Sequence, residues 1–277
     1  MDLKKSVKQH WEDETCGTRY GDEICSDRYK LEPYIHPFAD FASGKNKKVL
    51  EIGVGAGCDF EHWISAGAIA TGIDLTEAAI KETEKRFEHY HPAKRGAGKL
   101  QAVSYKLFVA DAENLPFSDN EFDIVYSWGV LHHTPDTFRA FSEAFRVLKS
   151  GGVLKAMIYH IPSWTGAMLW IQHCLLKGKF WHSMAWAIFH HLESPGTKAY
   201  TVKKAREMLT EIGYKNIHLK TKLCAGDLLE IKPSKKYQSA IYKIIWKLYP
   251  RFLVKLFGDR FGLNLLICFS RSSIFSP

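Results

Sequence analysis

From residue 49 onward, short apolar runs alternate with amphipathic stretches. Residues 49–52, 68–75, 103–109, 122–127 and 153–159 have the length and the β-branched or aromatic content of buried strands. Between them, residues 60–66, 76–90 and 136–148 repeat their apolar positions at helical spacing. The last places Phe138, Phe141, Phe145 and Leu148 on one stripe. Thr76 is suited to cap the second of these helices, and acids in its first turns suit the helix dipole. Strict alternation of strand and helix predicts an α/β fold with a doubly wound parallel sheet.

The pattern changes after Tyr159. Residues 161–200, rich in Trp, His, Met and Phe, predict one or two apolar helices and then a turn-prone loop, 193–200. Thr201 caps a helix over 202–212, and residues 216–224 and 263–269 predict a sixth and a seventh strand. Between those strands, 225–262 carries Ile241, Ile244, Ile245 and Leu248 at helical spacing, with Lys235, Lys236, Lys243, Lys247, Arg251 and Lys255 interleaved. Residues 1–45 are polar and aromatic and are broken by Pro33 and Pro37, with a short helix predicted over 31–41. The organisation expected is an N-terminal cap segment, 1–45, and one domain, 46–277. Helical insertions at 161–200 and 225–262 would form a substrate cap. The N-terminal segment either packs on the domain or closes over a ligand.

Residues 47–57 carry the chemistry. A strand ends in Glu51, and Gly53, Gly55 and Gly57 follow at alternate positions before the first helix. Glycine there lets the backbone take φ values closed to other residues and lets a ligand approach. Asp74 closes the second strand and Asp111 the third. In a doubly wound sheet the carboxyl ends of the strands line one crevice. An acid at the second strand end can accept from both hydroxyls of a ribose, and one at the third can accept from an adenine amino group. A nicotinamide dehydrogenase is the competing reading of the glycine turn. Its fingerprint places the third glycine one position later and has no use for Asp111-Ala112.

The combination of Val-Leu-Glu-Ile-Gly-x-Gly-x-Gly, the acid at the second strand end, Asp111-Ala112, Leu115-Pro116-Phe117, Phe122-Asp123-Ile-Val and Arg146-Val147-Leu148-Lys149-x-Gly151-Gly152 resembles class I S-adenosylmethionine-dependent methyltransferases. The closest likeness is to members that methylate quinones, sterols, sugars and natural products. The resemblance covers residues 45–160. It implies a Rossmann-like, seven-stranded, mostly parallel sheet with an antiparallel last strand. It implies S-adenosyl-L-methionine as cofactor and S-adenosyl-L-homocysteine as product. Glu51, Gly53, Gly55 and Gly57 would surround the methionine part and Asp74 the ribose. Asp111 and Ala112 would hold the adenine, Leu75 would pack on it, and Ser127 would face the sulfonium side. The two insertions depart from the family pattern and are where substrate choice should be decided. The family calls for no metal.

Methyl transfer from a sulfonium is an in-line displacement in which the protein chiefly aligns two reactants. A base is needed only for an acceptor whose proton has a high pKa, and histidine suits that task. His133 and His132 after the fourth strand and His160 after the fifth are the candidates, His133 first and His132 last, and each is also readable as a hydrogen-bonded wall residue. The aromatic residues of the insertions either form a cap with its own core, roof a pocket for an apolar acceptor, or rest on a membrane.

The formal net charge is +8, with the excess in the last part of the chain. Lysines interleaved with Ile, Trp and Leu over 235–257 suit an interfacial helix and peripheral membrane contact. The acceptor expected is a small apolar, lipid-, quinone- or sugar-type molecule. Nucleic acid is disfavoured, since no RNA-binding appendage is evident. A non-catalytic cofactor-binding partner protein and an RNA methyltransferase are the alternatives. The six cysteines contain no Cys-x-x-Cys pair, which argues against zinc and a disulfide framework and fits free thiols in a reducing cytosol. The first residues lack the apolar core of a secretory signal, and no run of about 18 apolar residues occurs, so a cytoplasmic location is expected.

Overall fold

Strands β1 (Lys48–Ile52), β2 (Ile69–Asp74), β3 (Tyr105–Val109), β4 (Phe122–Trp128), β5 (Leu148–Tyr159), β6 (His218–Lys222) and β7 (Asn264–Ser270) form one sheet in the order β3-β2-β1-β4-β5-β7-β6. All pairings are parallel except those of β7, which is antiparallel to both β5 and β6. These are the seven strands and the antiparallel last strand expected from the sequence. The molecule is seen in a computed structural model, which describes residues 2–13, 15, 24–90, 105–230 and 246–271.

Period-two alternation sorts the strand side chains between two helical layers. Leu50, Ile52, Val125 and Leu154 pack on one side with α6 (Thr137–Val147) and α9 (Val202–Ile212) through Phe141, Ala144, Ala205 and Leu209. Val49, Ala70, Ile124 and Tyr126 pack on the other with α4 (Cys58–Ser65) and α5 (Glu77–Tyr90) through Phe60, Trp63, Ile80 and Phe87. Caps fall where the sequence places them. The Thr76 hydroxyl accepts from the Ala79 N–H and the Thr201 side chain from the Lys204 N–H, each satisfying a donor that a helix start leaves open.

Several boundaries differ from the sequence expectation. β5 starts at Leu148 rather than at a turn over 149–152. The register shifts between Phe122 and Ile124, and Gly151 has a φ of 80°, so the glycines make a bulge within the strand. The first insertion folds as two helices, α7 (Trp164–His173) and α8 (Met184–His191), each capped by a serine. Of the second insertion, 231–245 lies outside the described residues, and so does most of the interfacial helix expected over 235–257. The described part contains α10 (Arg251–Leu256). Among its described residues the N-terminal segment holds three α-helices, α1 (Leu3–Asp13), α2 (Ile24–Leu31) and α3 (Ile35–Ala39). α1 and α2 were not anticipated from the sequence.

The expectation that the cysteines are all free thiols is corrected. Cys25 of α2 and Cys58 of α4 are joined by a disulfide, while Cys174, Cys224 and Cys268 are free. The pair is 33 residues apart, and the pairing becomes visible only once α2 is packed on the start of α4. No helix of the described residues is long and apolar enough to cross a membrane.

Candidate functional site

The parallel register brings the carboxyl ends of β1, β2 and β3 to one edge of the sheet. Ile52 pairs with Ile73, and Asp74 pairs with Val109. Between β1 and α4 the chain turns on Gly53, Gly55 and Gly57, with φ of 82°, 54° and 77°. Two of these positions are closed to a side chain on packing grounds too. A Cβ on Gly53 would overlap the Val130 side chain, and one on Gly57 would sit 2.8 Å from the Thr83 methyl carbon. The chain can follow this turn only because these residues are glycine.

Asp74 is wired into this turn. Its Oδ2 accepts from the Gly55 N–H at 3.2 Å, and its Oδ1 accepts from the Thr76 N–H and hydroxyl at 3.1 and 2.9 Å. Burial raises its pKa and the hydrogen bonds hold it back. Leu75 follows it, half-buried. Asp111 stands beyond the end of β3, where its Oδ1 accepts from the Glu113 N–H at 2.9 Å. Its Oδ2 meets Lys4 of α1 at 2.7 Å, and Lys4 also pairs with Glu113. Ala112 is buried beside it. Ser127 is fully buried and donates to the Ile52 carbonyl at 3.0 Å, which ties β4 to β1 beneath the turn.

Glu51 is buried, and its Oε2 has no hydrogen-bond partner among the described residues. Burial and the nearby Asp59 charge push its carboxyl well above the usual range. A buried carboxylate oxygen left unpaired is costly, so this position calls for a cationic donor. Around it lies a polar cluster that sequence reasoning missed. Asp59 of α4 accepts from Arg28 at 2.6 Å, from the Tyr29 hydroxyl at 2.7 Å and from the Tyr126 hydroxyl at 2.7 Å. The Arg28 guanidinium lies 5.7 Å from the centre of the Trp128 ring. α2 thus brings a cation to the first turn of α4, beside the end of β4.

The histidines part company. His132 is fully buried, and neither ring nitrogen has a hydrogen-bond partner among the described residues; burial and neighbouring His133 hold its pKa well below the usual value. His160 is buried on the β7 side. Its Nδ1 bonds the Gly262 carbonyl at 3.0 Å, and burial lowers its pKa. Tyr159 and His160 are successive residues on an extended chain and so face opposite ways. Only Tyr159 meets the other two histidines, with ring centroids 4.1 Å from His132 and 5.9 Å from His133.

His133 has a fixed orientation. Its Nδ1 lies 2.8 Å from the Ser194 hydroxyl and 3.1 Å from the Thr197 hydroxyl. Thr197 spends its own proton on the Ser194 carbonyl at 2.7 Å, so it can only accept from His133. The Ser194 hydroxyl, the nearer of the two, can donate to Nδ1 or accept from it, so these contacts fix the plane of the ring and leave Nε2 on the other side. That nitrogen lies 3.4 Å from Glu193 Oε2, which also accepts from the Tyr159 hydroxyl at 2.8 Å. Glu193 has a φ of 51°, unusual for a residue with a side chain. Its only trace in the sequence is its place in the turn-prone Glu-Ser-Pro-Gly-Thr loop. Trp11 of α1 covers His133 edge-on at 5.3 Å, and Leu3 packs on Gly196. α1 therefore spans the cleft from Asp111 to the 193–197 loop.

An unpaired Glu51 oxygen, a glycine cradle and a carboxylate anchored in that cradle fit S-adenosylmethionine, which offers an ammonium, a ribose diol and an adenine. Comparison with known proteins agrees. Residues 50–156 match the family model described as a methyltransferase domain. An uncharacterized protein of Methanocaldococcus jannaschii is 30% identical over 168 residues, covering 61% of this chain and 64% of that protein. The demethylmenaquinone methyltransferase of Desulfitobacterium hafniense is 30% identical over 157 residues, covering 53% and 58%. The chain spans less than two-thirds of the length of these relatives. Among solved structures, a methyltransferase from Haloferax volcanii in complex with the Trm112 activator superposes with a TM-score of 0.60 at 15% identity, covering 98% of this chain and all of that one, a likeness of fold.

Proposed function

We propose that this chain, whose residues 50–156 form a class I S-adenosylmethionine-dependent methyltransferase domain, transfers a methyl group to a small apolar acceptor. The observation that carries the reading is the Asp74 carboxylate hydrogen-bonded to Gly55 of the glycine turn, four residues past Glu51 with its unpaired oxygen. When bound, the cofactor supplies an electrophilic methyl on a sulfonium. Glu51 accepts from its ammonium group, Asp74 from its ribose hydroxyls, and Asp111 with Ala112 holds its adenine. The glycine backbone provides the close approach and Leu75 completes the wall, while Ser127, which was expected to face the sulfonium side, braces the turn from beneath through the Ile52 carbonyl.

His133 is the base of this reading. Its Nε2 lone pair takes the acceptor's proton, while Ser194 and Thr197 keep the ring in place through Nδ1. Glu193 then faces the imidazolium and stabilises its charge. His132 and His160, held neutral by burial, serve as walls. An apolar acceptor is supported by the aromatic lining. Trp128 at the end of β4 has Tyr34 and Phe38 at 6.1 and 5.9 Å, and Trp11 roofs His133. The named activity of the demethylmenaquinone relative points the same way. Because Trp11 seals the base, α1 lifts to admit the acceptor. An apolar acceptor stored in a bilayer suits peripheral contact through 235–257, whose described part exposes Lys247, Leu248, Phe252 and Leu256.

The test is methyl transfer from labelled S-adenosylmethionine into a lipid extract compared with an aqueous metabolite extract. Label entering the lipid fraction supports the reading. Label entering only the aqueous fraction contradicts the apolar acceptor, and no transfer to either contradicts the activity.

A further inference from the structure

The first insertion ends in a protruding tip that the fold leaves uncovered. Between α7 and α8, residues 175–181 read Leu-Leu-Lys-Gly-Lys-Phe-Trp, and every one of them is exposed. Leu176 is 74% exposed, Phe180 67% and Trp181 67%, values far from those of residues that belong to a cap core. The insertion does have such a core: Leu169, Cys174, Ala187 and Ile188 are buried together. The apolar residues of the tip stay out of it.

The tip has a defined shape. The Lys179 N–H donates to the Cys174 carbonyl at 2.7 Å, the Gly178 N–H to the Leu175 carbonyl at 3.0 Å, and the Trp170 indole to the His182 carbonyl at 2.6 Å. A Cβ placed on Gly178 would meet nothing within 4 Å, so the turn projects from the molecule. Its charge has one sign. Lys177 and Lys179 flank the apolar residues, and no acidic residue stands between Glu143 and Glu193. The second insertion repeats the composition: no acidic residue stands between Glu230 and Asp259, and Phe252, Leu256 and Phe257 are exposed. The two insertions touch where Trp164, at the start of α7, meets Phe257 at 5.7 Å. Both follow strands, β5 and β6, whose carboxyl ends lie at the edge of the sheet that carries the cofactor cleft.

We propose that residues 175–181 are a membrane-docking tip that inserts Leu176, Phe180 and Trp181 into the interface of an anionic bilayer, with Lys177 and Lys179 against its headgroups. The inference rests on the peripheral-contact reading above and adds a second, separate contact to it. Tryptophan and phenylalanine are suited to the headgroup boundary, and lysines beside them are attracted by anionic lipid within a Debye length. Exposed apolar residues ringed by cations and free of acids are an expensive surface in water and a fitting one for such a membrane. Docking by the tip turns the mouth of the cleft toward the layer in which an apolar acceptor dissolves.

The full chain is mixed with vesicles of phosphatidylglycerol and phosphatidylcholine, and separately with phosphatidylcholine alone, and the bound fraction is measured by sedimentation. The wild type should partition to the anionic vesicles. A triple variant, Leu176→Ser, Phe180→Ser and Trp181→Ser, should partition at least about tenfold less. Lys177→Glu with Lys179→Glu should lose the preference for phosphatidylglycerol. Both variants should keep the wild-type affinity for S-adenosylmethionine by calorimetry, which shows that they fold and keeps the methyltransferase reading separate. Undiminished partition of the triple variant overturns the tip and leaves contact through 235–257 standing. A wild type that ignores both vesicles overturns the tip and the peripheral contact together. A lipid-free dimer, seen by light scattering, that the triple variant abolishes overturns the tip alone, since a second copy then covers the patch.

Discussion

His133 and Glu193 show what a fold adds to a pair of residues 60 positions apart in the chain. His133 could be nominated from its place after a strand; its working nitrogen could not. The orientation of the ring follows from the Ser194 and Thr197 hydroxyls, which hold Nδ1 and leave Nε2 toward Glu193. His133→Ala should lower kcat by about 10²–10⁴-fold, the usual reach of a positioned base, and leave the Kd for S-adenosylmethionine unchanged. Glu193→Gln keeps the size and removes the charge that steadies the imidazolium, so its kcat should fall less, again with the cofactor Kd unmoved. Steady-state kinetics with calorimetry checks both, and wild-type turnover in His133→Ala would remove the base. The cofactor acids were legible in the sequence because strand ends in a parallel sheet converge by topology. Arg28, Tyr29 and Asp59 were not, because a buried carboxylate satisfied by three donors from two distant elements leaves no periodic signal.

At the scale of elements, the strands and the core helices follow from apolar periodicity, and the seven-stranded order with its antiparallel end follows from the resemblance. The N-terminal helices were harder to foresee. α1 carries one buried side chain, Val7, and holds its place by Lys4 on Asp111 and Glu113 and by Trp11 on His133. Such contacts depend on partners more than 100 residues away. α2 is held to α4 by the Cys25–Cys58 disulfide and by Arg28 on Asp59. A crosslink closing a loop of this size is worth about 2–4 kcal/mol, chiefly by restricting the unfolded chain. Cys25→Ser should therefore lower the denaturation midpoint, and reductant should lower that of the wild type but not of the variant. A wild type indifferent to reductant would contradict the bond in solution.

For the molecule as a whole, buried ionisable groups tie stability to pH. His132 takes up a proton in the unfolded chain near its ordinary value of about 6.5, while in the fold burial holds its pKa well below that. The unfolded state then binds more protons, so stability present above about pH 6.5 is lost as the pH falls toward the folded value. Glu32, pushed up to about 7 by burial, acts in the opposite sense. Its stabilising effect is fully present below about pH 4.3 and is lost as the pH rises through its folded value. The two partly cancel, so the wild-type profile alone decides little and the difference between variants decides more. His132→Phe removes one of them. Its stability relative to wild type should improve by about 1 kcal/mol between pH of about 7 and about 5.5, measured by denaturant titration.

A cleft built for an adenosyl sulfonium lies at the junction of Asp74 and the glycine turn in this reading. Calorimetric titration of the full chain with S-adenosylmethionine, wild type beside Asp74→Ala, tests this directly. The wild type should bind, and the variant should bind more weakly by about 1–3 kcal/mol, since ribose hydroxyls lose their acceptor. A wild type that does not bind at roughly millimolar ligand, a Kd weaker than about −4 kcal/mol, or a variant of unchanged affinity would contradict it.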